Sequence, residues 1–190
     1  MFGAVLDTCV LVPSMQRDFL LSMAAAGVYR PLWNEEILDE LYDVVQRPEI
    51  RRERTSAEAL AQADHLLAQM REHFGDALVP DCDRLRPAGL PDPDDEHVLA
   101  AAVLGNGNAI VTENVKDFPK ELLPAGLLIR TARRFIEDQV AADPIGAAEA
   151  IREMARRSKA PTLEPCDVFD VLITRYSLAG ELSPLRQFLR

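Results

Sequence analysis

The sequence predicts an α/β fold in which crossover helices connect the strands of a parallel sheet, followed by a small all-helical extension. Three observations carry that prediction. Short apolar runs alternate with longer amphipathic stretches as far as residue 130, the pattern of repeated strand–helix–strand units. The runs FGAVL and NAIVT are continuously apolar at their centres, as strands buried on both faces are. From Thr131 onward only helical periodicity remains, so the chain reads as two parts, residues 1–130 and 131–190.

Phe2 to Leu6 reads as the first strand, ending at Asp7-Thr8. A helical pattern from about Arg17 to Ala26 is stopped by Gly27. Val28 to Trp33 reads as the second strand, although Pro31 inside it cannot donate to a sheet ladder. Asn34 is a good N-cap for NEEILDELYDVVQR, a helix that should stop before Pro48. Thr55 or Ser56 caps a long helix through about Phe74, closed by Gly75. Ala77 to Pro80 is expected as a third strand, and the Pro- and Asp-rich stretch from Asp81 to Pro93 as a loop. A helix follows from about Asp94 to Leu104, ended at GNGN, and then the strands NAIVT and GLLIR (Gly126 to Arg130). In the extension, helical patterns cover about 131–142, 145–158 and 166–178, with a shorter one near 184–190.

Composition narrows the functional classes. A net charge of −10 argues against a simple basic nucleic-acid-binding domain. The acidity is uneven: residues 1–129 hold 11 basic and 22 acidic side chains, residues 130–190 hold 10 and 9. Cys9, Cys82 and Cys166 share no C-x-x-C spacing, and with the three histidines they form no zinc pattern. The apolar runs fall far short of a membrane span. The start, MFGAVLDTCVLV, has no basic n-region and carries Asp7 in its middle, so it does not read as a signal peptide. A cytoplasmic location is the default expectation.

Four acids stand where these elements begin or end: Asp7, Glu40, Asp95 and Asp117. Carboxylates brought together repel one another, and a divalent cation among them relieves that repulsion. Asp7 directly follows the first strand, at the edge where parallel α/β sheets bind ligands; its bland alternative is a turn or cap aspartate. On a helical wheel Ile37, Leu38, Leu41, Val44 and Val45 share a face, and Glu40 lies near its edge while Asp39 and Asp43 point further out. Asp95 precedes Val98 and Leu99 by three and four residues and shares their inward face; in DPDD, Asp92 or Asp94 equally suits the cap. Asp117 follows the NAIVT strand within VTENVKDF. There Thr112 and Asn114 either orient a carboxylate or satisfy loop amides.

Taken together, VLDT, LDEL, DPDDEHVLAAA and VTENVKDF, in that order over residues 1–130, resemble the PIN-domain nucleases. The resemblance implies a three-layer α/β/α sandwich and an acidic centre binding Mg²⁺ or Mn²⁺. It makes Asp7, Glu40, Asp95 and Asp117 the metal-binding catalytic acids, with Asn114 standing where the family often has a second acid. Short bacterial PIN proteins are mostly VapC-like toxins of type II toxin–antitoxin pairs. The implied activity is therefore endoribonuclease, and the implied partners are an RNA substrate and a cognate antitoxin.

RNA would be held by local basic groups. Arg47, Arg51, Arg52 and Arg54 form one cluster, and Arg130 with Arg133 and Arg134 a second; both also read as solvated surface charge. Arg152, Arg156 and Arg157 suit an acidic partner. The apolar stripes of the extension must pack on something: the first part of the chain, an antitoxin, or a second copy in a homodimer. Two other readings compete. An aspartate-nucleophile phosphatase would want an acid two residues after Asp7, where Cys9 stands. The other is a degenerate or receiver-like partner-binding module without nuclease activity; a receiver would want an acidic pair near the N-terminus and a Lys after a late strand, and no such pair precedes Asp7.

Overall fold

A computed structural model describes residues 1–47, 55–85, 89–159 and 161–189. Its sheet has four parallel strands in the order β2-β1-β3-β4: β1 (Gly3–Leu6), β2 (Arg30–Leu32), β3 (Ala109–Val111) and β4 (Leu128–Arg130). Register pairs Val5 with Leu32 on one side and with Ile110 on the other, and Ile110 in turn with Ile129. The two central strands are the uninterrupted apolar runs, and every residue of β1 and β3 is buried. Pro31 is tolerated because β2 lies at the sheet edge, where a missing N–H costs no ladder bond.

The helices are α1 (Thr8–Leu11), α2 (Ser14–Ala25), α3 (Glu35–Val45), α4 (Ser56–His73), α5 (Glu96–Leu104), α6 (Ala132–Ala142), α7 (Pro144–Arg157), α8 (Pro165–Tyr176) and α9 (Ala179–Leu182). Among them α3 packs on α4 and α5, while α2 packs on α7 and α8, giving an α/β sandwich continued by a helical C-terminal part. Local chemistry explains the boundaries. Asn34 accepts from the Ile37 amide at the start of α3, and Thr55 with Glu58 closes a capping box on α4. Gly27 takes φ +79° after α2, a left-handed turn that glycine enters without a Cβ clash. Gly105 closes α5 in a crowded corner, where a Cβ would lie 2.7 Å from the Ala101 carbonyl oxygen and 2.8 Å from Val79 Cγ2.

Three local expectations change. Ala77 to Pro80 makes only one parallel bridge, Leu78 to Trp33, because Asp81 enters the left-handed region at φ 60° and turns the chain away. Gly75 does not close α4 with a left-handed turn; it opens a 3₁₀ turn, Gly75–Ala77. The four residues after Asp7 form α1, too short to carry a helical period.

The extension buries its apolar stripes inside the molecule. Ala147, Ala150 and Ile151 of α7 join Phe19, Leu20 and Met23 of α2 in one continuous core. Phe135 of α6 meets the Tyr29 ring edge-on at 4.8 Å. At the surface of this seam, Arg157 bonds Asp18 and Ser22, both at 2.7 Å. The three cysteines are free, and among the described residues no helix is long and apolar enough to cross a membrane.

Candidate active site

The strand order reverses direction between β1 and β3. The chain leaves β1 toward β2 on one side, and leaves β3 toward β4 on the other. Such a reversal opens a crevice beyond the carboxyl ends of the two central strands. Asp7 stands at the end of β1 and Thr112 at the end of β3, locked side by side: the Asp7 amide donates to the Val111 carbonyl at 3.1 Å, and Thr112 Oγ1 donates to Asp7 Oδ2 at 2.6 Å. Asp7 is only 5% exposed. Cys9 Sγ also donates to Oδ2, at 3.0 Å.

Glu40 comes in from α3. The wheel placed it beside the buried face, and its side chain is 46% exposed. Thr8 Oγ1 donates to its Oε2 at 2.6 Å, so the residue next to Asp7 in sequence fixes the second acid in space. His97, buried on α5, lies between two carboxylates one helical turn apart: Nδ1 is 3.7 Å from Glu36 and Nε2 is 3.8 Å from Glu40. No hydrogen bond reaches its Nε2 among the described residues. Asn34 ties these helices together, its side-chain amide donating to the His97 carbonyl at 3.0 Å.

Asp95 ends the 3₁₀ turn Pro93–Asp95 and makes no cap bond to α5. The capping role in DPDD belongs to Asp92, which accepts from the Asp94 amide at 3.0 Å. Among the described residues Asp95 Oδ2 is instead buried without a partner, a costly state for a carboxylate oxygen. Its carboxyl is pushed up from 3.8 to about 6, first by burial and then by the charges of Asp7, Asp92, Asp117 and Glu40. That electrostatic neighbourhood contains all four acids singled out from the sequence. Asp117 enters from the 3₁₀ turn Val115–Asp117 and is half-buried. Asn114 contributes through its backbone, donating to Thr112 Oγ1 at 3.0 Å and accepting from the Asp117 amide at 2.9 Å.

Carboxylate oxygens are hard donors suited to Mg²⁺ or Mn²⁺, and a buried partnerless oxygen beside three further carboxylates fits a cation. Among the described residues no three His, Cys, Asp or Glu side chains converge closely enough to hold an ion.

The basic residues are placed less favourably. Arg130 reaches the correct sheet edge but donates to Asp138 at 2.8 Å and to the Ile129 carbonyl at 3.2 Å. Arg134 shares Asp138 at 3.4 Å and pairs with Glu137. Arg47 is exposed just past the end of α3, and Arg51, Arg52 and Arg54 lie outside the described residues. Sequence reasoning missed Thr8, Cys9 and His97 as neighbours of the acids; the available signal was that each sits within two residues of Asp7 or Asp95.

A family model described as PIN domain matches residues 3–116, well over half of the 190-residue chain. No curated protein and no solved structure matches.

Proposed function

Because the chain belongs to the PIN-domain family, whose members are generally nucleases, we propose that it is a metal-dependent endoribonuclease and the toxin of a type II toxin–antitoxin pair. The observation that supports the nuclease reading best is Asp95: a buried carboxylate oxygen without a partner, raised to about 6 in a neighbourhood of three further candidate ligands.

Asp7, Glu40, Asp95 and Asp117 are the residues that would hold Mg²⁺ or Mn²⁺. When bound, the ion supplies Lewis acidity toward a phosphodiester and lowers the pKa of water. The chain's own groups do the rest. Thr112 and Thr8 hold Asp7 and Glu40 in single orientations through 2.6 Å hydrogen bonds. Asp95 or Asp117 orients the attacking water toward phosphorus. The crevice is acidic, so the RNA backbone needs cationic groups at its rim. Arg47, Arg51, Arg52 and Arg54 serve that role in this reading, with Arg130 contributing after exchange from Asp138. An antitoxin is the partner that would hold the crevice inactive.

The partner-binding alternative without catalysis is not favoured, since it gives the partnerless Asp95 oxygen no role. The test is cleavage of a mixed RNA substrate in Mn²⁺ by the wild type and by Asp7→Asn and Asp95→Asn. Loss of at least about 100-fold in both variants is expected, since each removes a ligand of the reacting centre. Undiminished cleavage by either sinks the assignment. Co-purification with the product of an adjacent small gene, and relief of growth arrest by it, tests the toxin role.

A further inference from the structure

Every hydrogen bond that the Asp7 carboxylate accepts from a described side chain falls on one oxygen. Two parallel relays end there. In one, the Glu113 amide donates to Cys9 Sγ at 3.3 Å, and Cys9 Sγ donates to Asp7 Oδ2 at 3.0 Å. In the other, the Asn114 amide donates to Thr112 Oγ1 at 3.0 Å, and Thr112 Oγ1 donates to the same Oδ2 at 2.6 Å. The two side chains approach each other at 3.5 Å. Each carries a single proton and accepts from a backbone amide; either could donate to the other at 3.5 Å, but the shorter contacts, 3.0 and 2.6 Å, both run to Asp7 Oδ2.

We propose that Cys9 is a positioning residue: with Thr112 it pins Asp7 Oδ2, leaving Oδ1 free to meet the divalent cation, and fastens the Glu113–Asp117 turn to the Asp7 end of the crevice. The inference rests on the cation-binding role proposed above for Asp7. A pinned oxygen stops the carboxylate from rotating, and hydrogen-bonded partners of this kind tune metal affinity. The same contacts join the two ligands contributed by β1 and by the loop after β3, because both relays begin on backbone amides three or four residues before Asp117.

Two measurements test this, neither requiring RNA. The first is Mn²⁺ binding by calorimetry. Cys9→Ala, which lacks the donor, should weaken Mn²⁺ about 10-fold. Cys9→Ser, which restores a donor, should stay within about 3-fold of wild type. Equal affinity in wild type and Cys9→Ala overturns the proposal. So does a Cys9→Ser variant as weak as Cys9→Ala when both melt like wild type, since size rather than the proton would then matter. A wild type that binds no Mn²⁺ at all also overturns it.

The second is the infrared S–H stretch of the metal-free protein. The Cys9 band, identified by its loss in Cys9→Ser, should lie below those of Cys82 and Cys166 and should shift upward in Asp7→Asn. An unshifted band overturns the proposal even if Cys9→Ala fails to fold. If Mn²⁺ binds and the variants behave as described but RNA is not cut, the nuclease reading fails and this inference stands.

Discussion

Replacing Asp95 by Asn removes one negative charge from the four-carboxylate neighbourhood and keeps the size of the side chain. Among the described residues Oδ2 has no hydrogen bond to lose. In the folded chain the carboxyl is raised from 3.8 to about 6, so its charged form is disfavoured relative to the unfolded chain. The stability linked to protonated Asp95 is fully present below about pH 3.8 and is lost as pH rises through about 6. The raised pKa corresponds to about 3 kcal/mol at pH 7.5, at roughly 1.4 kcal/mol per pKa interval. Because Asp95 is partly exposed, solvent screening reduces this to about 1.5 kcal/mol. Without divalent ions, Asp95→Asn should therefore be more stable than wild type at pH 7.5, melting about 3–6 °C higher. The gap should narrow as pH falls below about 6 and close below about 4. Thermal melts in chelator across that range are the assay. Adding Mn²⁺ at pH 7.5 should then raise the wild-type melting temperature and leave the variant almost unmoved. A variant less stable than wild type at pH 7.5 in chelator, or a gap independent of pH, would refute the reasoning, because burial and repulsion of the charged carboxyl would then not be what destabilises the fold.

Other substitutions probe the supports of the site. Thr8→Val keeps the shape of the side chain but removes the 2.6 Å bond to Glu40; Mn²⁺-dependent RNA cleavage should fall about 10-fold. Asn34→Ala removes the α3 cap and leaves the His97 carbonyl without its side-chain partner. Urea unfolding should show a loss of about 2–3 kcal/mol. At the seam between α2 and α7, Arg157→Ala should cost no more than about 1 kcal/mol, because Arg157 and Asp18 are both well exposed. By contrast Ile151→Ala, in the fully buried part of the seam, should cost about 2–5 kcal/mol. Equal losses for these two variants would mean that the ion pair, not apolar burial, holds the extension in place.

Much of this architecture is legible in the chain because it depends on short-range chemistry. The apolar centres of FGAVL and NAIVT read as strands and form buried ones, and Asn34 and Thr55 announce the helices that follow them. Asp7 is legible for the same reason, since any residue directly after a central parallel strand lies at its ligand-binding edge. What failed was decided by distant groups. Ala77 to Pro80 has the composition of a strand, but strand pairing requires a neighbour in register, and only Leu78 finds one at Trp33. Pro31 weakened the case for β2 in sequence, yet the strand forms because it lies at an edge.

The sequence alone determined the α/β class and the helical character of the extension, because apolar periodicity and capping residues act within a few positions of one another, and it nominated the four acids as candidates. Tertiary structure alone decided how those acids are held. Thr8 on Glu40, and Cys9 with Thr112 on Asp7, bridge 32, 2 and 105 positions of chain respectively, and even the shortest of these depends on the turn that α1 makes after β1. The raised Asp95 carboxyl likewise reflects burial first and then the charges of four other positions in the chain. Coulomb forces and hydrogen bonds depend on distance through space, and only the folded strand order β2-β1-β3-β4 sets those distances.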